Sequence, residues 1–223
     1  MQHLIYLFKK FSTILIILLC LSLLWSGSYN SSDVIECANL IYAGTKSSIC
    51  FSDTFLSVVS KETSIRTSRK FKPVKISEPE LFSYPFAMMT GEGSFSLTQN
   101  ERSNLTQFLN RGGFLLASAG CSNELWDDSF REEIKKIFPE QPLTKIEFNH
   151  PLFNMIYNIK RLETKIEDAH LEGIIINSKL VVVYSPDGLN DTQTMHGCCC
   201  CGGNEIKNSQ QVNSNIIIYA LLQ

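Results

Sequence analysis

No long lysine or arginine run occurs in the chain, and its 20 basic residues are set against 22 acidic ones for a formal net charge of -2. Without a basic stripe there is no electrostatic footprint for a phosphate backbone, which excludes nucleic acid as the main partner. Internal repeats and low-complexity tracts are absent too, so a solenoid or a largely disordered chain is excluded. Two metal signatures are missing. No second C-x-x-C stands at zinc-ribbon spacing, and the oxygens of Asp187, Asn190 and Asp191 lack the glycine and distal glutamate of an EF-hand loop. What is present is 223 residues, 44% of them hydrophobic, which is enough to bury one substantial core.

The N-terminus carries a targeting pattern. Lys9 and Lys10 precede the nearly uncharged run FSTILIILLCLSLLW over 11–25, and Ser26 and Ser28 stand before a cut at Tyr29. This predicts a signal peptide over 1–28, because the run is shorter than the roughly 20 residues a spanning helix needs. The alternative is an uncleaved membrane anchor, lengthened by the apolar residues at 4–8. Both predict an exported protein, periplasmic or in the cell envelope, and the second makes the N-terminus a membrane tether. Residues 29–33 (YNSSD) read as a short tether and 34–223 as the folded domain.

Within that domain short apolar runs alternate with helical segments, which predicts an α/β sheet covered by helices. Strands are expected over 34–42, 74–76, 84–89, 114–117 and 145–148, and a hairpin joins 173–176 to 180–184 across Asn177-Ser178-Lys179. Helices are expected over 53–61, from the capping pair Thr98 and Glu101 to Gly112, over 128–138, and over 208–222.

The strongest chemical signal is Met195-His196-Gly197 followed by Cys198, Cys199, Cys200 and Cys201 and then Gly202-Gly203. Adjacent thiolates are soft ligands, suited to zinc or another soft transition metal, and flanking glycines let the backbone wrap closely around an ion. The run precedes the last helix, whose positive end favours thiolate over thiol. His196 offers a nitrogen ligand and Cys121 a further sulfur. The same run also suits a C-x-x-C disulfide with redox chemistry, or an inert packed cluster. Of eight cysteines, removing Cys20 with the signal leaves seven, an odd number for a pure disulfide framework. Cys37 and Cys50 flank one strand and loop and are candidates for a structural bridge.

Cys121 stands just past the strand expected at 114–117. Ligands collect outside the carboxyl ends of parallel strands, where Gly91-Glu92-Gly93 and Pro186-Asp187-Gly188 should also lie. A nucleophile reading pairs Cys121 with His150 or His196 as base and Glu92 or Glu124 as orienter. The bland readings are a buried turn cysteine and a structural His150.

Several blocks carry a family resemblance: CANLIYAG at 37–44, PFAMMTGEGSF at 85–95, RGGFLLASAGCS at 111–122, FNHPLF at 148–153, YSPDGLND at 184–191 and GCCCCGGNEI at 197–206. With these the chain resembles a bacterial domain-of-unknown-function family assigned to the class I glutamine amidotransferase-like fold. The resemblance implies a three-layer sandwich around a flavodoxin-like, mostly parallel sheet. It supplies no activity. Amidotransferases set their nucleophile in G-x-C-x-G, whereas Ala119 and Asn123 hold those glycine positions around Cys121.

Overall fold

Apolar runs too short for helices become the strands of a central sheet, and the amphipathic segments between them become helices on its two faces. The structure, a computed structural model, describes residues 34–47, 50–191 and 203–223. Its strands are β1 (Cys37–Ile41), β2 (Lys72–Lys75), β3 (Phe86–Gly91), β4 (Phe114–Ala119), β5 (Thr144–Lys145), β6 (Glu172–Ile176) and β7 (Lys179–Ser185). Its helices are α1 (Thr54–Glu62), α2 (Gln99–Asn110), α3 (Glu124–Ile137) and α4 (Ser209–Leu222). The strands form one seven-stranded sheet in the order β2-β1-β3-β4-β7-β6-β5. From β2 to β7 the pairings are parallel. The last two are antiparallel, so the sheet is mostly parallel with an antiparallel end.

Side chains alternate across a strand, and that alternation sorts the core into two layers. Leu115, Ala117 and Ala119 of β4 pack with Leu105, Phe108 and Leu109 of α2 and with Trp126, Phe130 and Ile134 of α3. On the other face Phe114 and Leu116 pack with Phe55, Leu56 and Val59 of α1 and with Val212 and Ile216 of α4.

Local signals set several boundaries. Thr98 and Glu101 form the expected capping box, in which the Thr98 hydroxyl accepts from Glu101 N at 3.2 Å and Glu101 accepts from Thr98 N at 2.7 Å. The hairpin turns on Asn177 and Ser178, whose φ values of 51° and 64° match the turn that suits strand twist. Two expectations shift. α3 begins four residues before Asp128, because Asn123 Oδ1 accepts from Trp126 N at 3.1 Å and caps the helix there. The strand expected at 145–148 is only Thr144–Lys145, since the chain turns at Glu147, whose carbonyl accepts from His150 N at 2.8 Å.

Val34–Gln223 cluster as one unit. No helix among the described residues is long and apolar enough to cross a membrane. The signal or anchor over 1–28, the tether over 29–33 and the segment holding His196 and Cys198 to Cys201 lie outside the described residues.

Candidate functional site

The carboxyl ends of β3, β4 and β7 stand side by side, with Thr90, Ser118 and Ser185 in register across them. These are small hydroxyl residues on the face toward α1 and α4. Asn190, from the loop after β7, closes over the row: its Oδ1 accepts from Thr90 Oγ1 and from Ser118 Oγ, both at 3.4 Å. Ser118 Oγ in turn accepts from Leu189 N at 2.8 Å, and Asn213 of α4 donates to Leu189 O at 2.9 Å. The result is a buried, uncharged polar layer under the edge. Ser185 Oγ, Ser209 Oγ and Asn213 Oδ1 are buried without a hydrogen-bond partner among the described residues. Each such group costs about 1–3 kcal/mol of desolvation.

Cys121 sits on top of this edge, in the turn between β4 and α3. Its φ of 52° and ψ of 32° are left-handed, and Ser122 follows with φ 53°. Each left-handed non-glycine residue costs about 1–2 kcal/mol, so two in succession persist only where the surroundings fix them. Those surroundings are close-packed backbone. A Cβ on Gly120 would stand 2.8 Å from Gly91 O and 3.3 Å from Glu92 Cγ. One on Gly203 would stand 2.2 Å from Cys121 O. Glycine at both places lets three segments meet around the cysteine.

Ser122 ties the turn to its neighbours: its hydroxyl donates to Asp187 O at 3.0 Å and accepts from Asn204 N at 2.8 Å. Asn204 Nδ2 donates to Asp187 Oδ1 and to Glu167 O, both at 3.0 Å. Burial pushes the Asp187 carboxyl up, against the lowering pull of the Asn204 amide and the His170 N–H. Beside Asp187 lies an ionic network that sequence reasoning missed. Arg131 of α3 grips Glu172 with two bonds of 2.7 and 2.8 Å and donates to Asp127 at 2.7 Å. Tyr184 donates to Asp127 as well, and His170 Nε2 lies 2.9 Å from Glu172 Oε1. Burial alone would raise the Glu172 carboxyl, but hydrogen bonds from Arg131 and His170 hold it below its usual value. The signal available beforehand was the spacing of His170 and Glu172, which puts both side chains on one face of an extended segment.

The expected site residues separate. Cys121 and Glu92 both stand at the carboxyl edge, the latter exposed beside Gly120. His150 does not join them. It caps the turn Pro151–Phe153, its Nδ1 accepting from Leu152 N at 3.2 Å, and its ring lies 5.2 Å from that of Tyr219. Asn213, in the first half of α4, is bonded to Leu189 after β7, and Gln223, just past its end, is bonded to Leu180 at the start of β7. Tyr219 and His150 therefore stand toward the opposite edge of the sheet, where burial holds the imidazole below its usual range.

The Cys37–Cys50 bridge is corrected. Cys50 is disulfide-bonded, but Cys37 and Cys121 both keep their thiols. Cys37 faces into the α1 and α4 layer from the first position of β1, fully buried. Among the described residues, no group of three or more His, Cys, Asp or Glu side chains could hold a metal ion.

Residues 41–221 match the model of a family described as a domain of unknown function, DUF4159. No curated protein matches the chain.

Proposed function

The chain belongs to the DUF4159 family, a domain of unknown function, and from that premise we propose an exported binding protein that holds a soft metal ion. The ion, zinc or another soft transition metal, is held by Cys198, Cys199, Cys200 and Cys201, with His196 and Cys121 as further ligands. The scaffold is read as a class I glutamine amidotransferase-like fold, and the N-terminal segment as its export signal or membrane anchor. One observation carries the reading: Gly203, two residues after Cys201 in the chain, packs directly on the Cys121 backbone. That approach supports a site to which both the thiol run and Cys121 contribute.

A second reading is favoured by the state of Cys50. It is disulfide-bonded to neither Cys37 nor Cys121, which supports thiol-disulfide chemistry through Cys198 and Cys201 as the alternative. Metal and disulfide compete for the same sulfurs. A hydrolase with Cys121 as nucleophile draws support from its turn between strand and helix, but His150 is too far along the sheet to serve as its base.

The test is metal content by mass spectrometry together with thiol counting by maleimide mass tags on anaerobically purified protein. One soft metal ion per chain, with the run protected until chelation, is the expected result. Metal-free protein with Cys50 and part of the run oxidised overturns the metal site in favour of redox chemistry.

A further inference from the structure

On the face of the sheet away from α4, an open groove of about 490 Å³ runs between α2 and α3. Gln99, Arg102, Ser103 and Thr106 of α2 line it, opposite Lys136 of α3. The groove is polar, and its two cations are anchored from below by one buried acid. Glu133, whose side chain is only 3% exposed, accepts from Arg102 Nη1 at 2.9 Å, from Lys136 Nζ at 2.7 Å and from Ser96 Oγ at 3.2 Å. Burial alone would raise that carboxyl, but bonds from Lys136 and Arg102 keep it lowered and ionised. Two positive charges and one negative leave the groove with a net charge of one positive.

The way Arg102 is held matters more than the charge. The same Nη1 that meets Glu133 also donates to Leu97 O. Every side-chain hydrogen bond that Arg102 makes with the described residues leaves through that nitrogen, so its Nε and Nη2 hydrogens meet no acceptor among them. Lys136 likewise spends one of its three hydrogens on Glu133, with its side chain half exposed. A guanidinium clamped along one side and open along the other has already lost its rotamer entropy, and its free edge matches the two oxygens of a planar or tetrahedral oxyanion. Ser103 adds a hydroxyl, since its oxygen accepts from Gln107 Nε2 at 3.4 Å and its hydrogen remains for a ligand.

We propose that this groove binds the carboxylate or phosphate group of a small anionic ligand, with Arg102 gripping two oxygens, Lys136 adding the second charge, and Ser103 and Gln99 supplying neutral donors. This site stands on the opposite face from α4 and is independent of the thiol reading.

The test is calorimetric titration of the full-length chain with inorganic phosphate and, separately, succinate, near neutral pH and at fixed ionic strength. Saturable binding of phosphate alone assigns a phosphate group, and of succinate alone a carboxylate. Charge-assisted hydrogen bonds of this kind make Arg102→Gln weaken binding about ten- to a hundredfold. Because that change also strips a partner from buried Glu133, Thr106→Glu is the second variant. The Thr106 hydroxyl bonds only to Arg102 O within its own helix, so the substitution puts a carboxylate in the groove and leaves Glu133 untouched. It is expected to abolish binding with no loss of melting temperature. Absence of saturable binding of either anion, or binding that Thr106→Glu leaves unchanged, overturns the proposal.

Discussion

Gly203→Ala is the sharpest perturbation of the carboxyl edge. The new methyl carbon would lie 2.2 Å from Cys121 O and 2.5 Å from Cys121 C, both backbone atoms that cannot rotate aside. The segment starting at Gly203 must then lift from the turn. Lifting removes the bonds from Asn204 N to Ser122, from Asn204 Nδ2 to Asp187 and from Ile206 N to Gly188, of 2.8, 3.0 and 3.1 Å. At about 0.5–1.5 kcal/mol each, the three sum to roughly 1.5–4.5 kcal/mol. Alanine returns about 0.4–1 kcal/mol by restricting the unfolded chain, which leaves a net loss of roughly 1–4 kcal/mol. For a domain of this size that corresponds to a drop of about 2–16 °C in melting temperature. Urea unfolding followed by the fluorescence of buried Trp126 is the assay, with a lower midpoint and an unchanged slope expected. A variant within about 0.3 kcal/mol of the parent would falsify the close packing of this segment on Cys121.

Two further outcomes follow from buried ionisable groups. Burial, with a smaller push from Glu36, raises the Cys37 thiol to about 12, so it should resist maleimide in the folded protein and react fully in denaturant; rapid native labelling would contradict its place in the core. The Glu172 carboxyl is lowered from 4.5, so its stabilisation is fully present above that value and is lost as pH falls through the lower folded value. Glu172→Gln should therefore cost about 1–3 kcal/mol near neutral pH, discounted for the part-exposed Arg131, and nothing in strong acid. Equal losses at both pH values would show that the network owes nothing to charge.

The centre of the sheet was legible because strands such as Phe114–Ala119 are apolar runs with definite ends, and because Thr98 with Glu101 and Asn177 with Ser178 are local codes. Local codes fail where a partner is remote. The helix expected from Asp128 starts at Glu124, and the packing of Trp126, whose indole donates to Tyr42 OH at 2.7 Å, ties that first turn to a residue 84 positions away. Arg131 and Glu172 are 41 residues apart, and no spacing rule connects them. Ser118, Asn190 and Asn213 carry loop chemistry in their names yet lie wholly or almost wholly buried. The Cys37–Cys50 expectation failed for a related reason. Proximity in sequence says nothing about where a side chain points, and Cys37 points into the core.

The two outermost strands bear on how copies of this chain meet one another. β2 reads Lys-Pro-Val-Lys, and β5 is two residues ending in Lys145. Growth of a sheet from molecule to molecule needs an outer ladder of free amide donors and carbonyls. Pro73 removes a donor from the first rim, and paired copies of β2 would bring lysines together; the second rim is too short to template a strand. The folded chain is thereby protected from polymerising through its sheet, and self-association is left to surfaces made of side chains rather than of backbone.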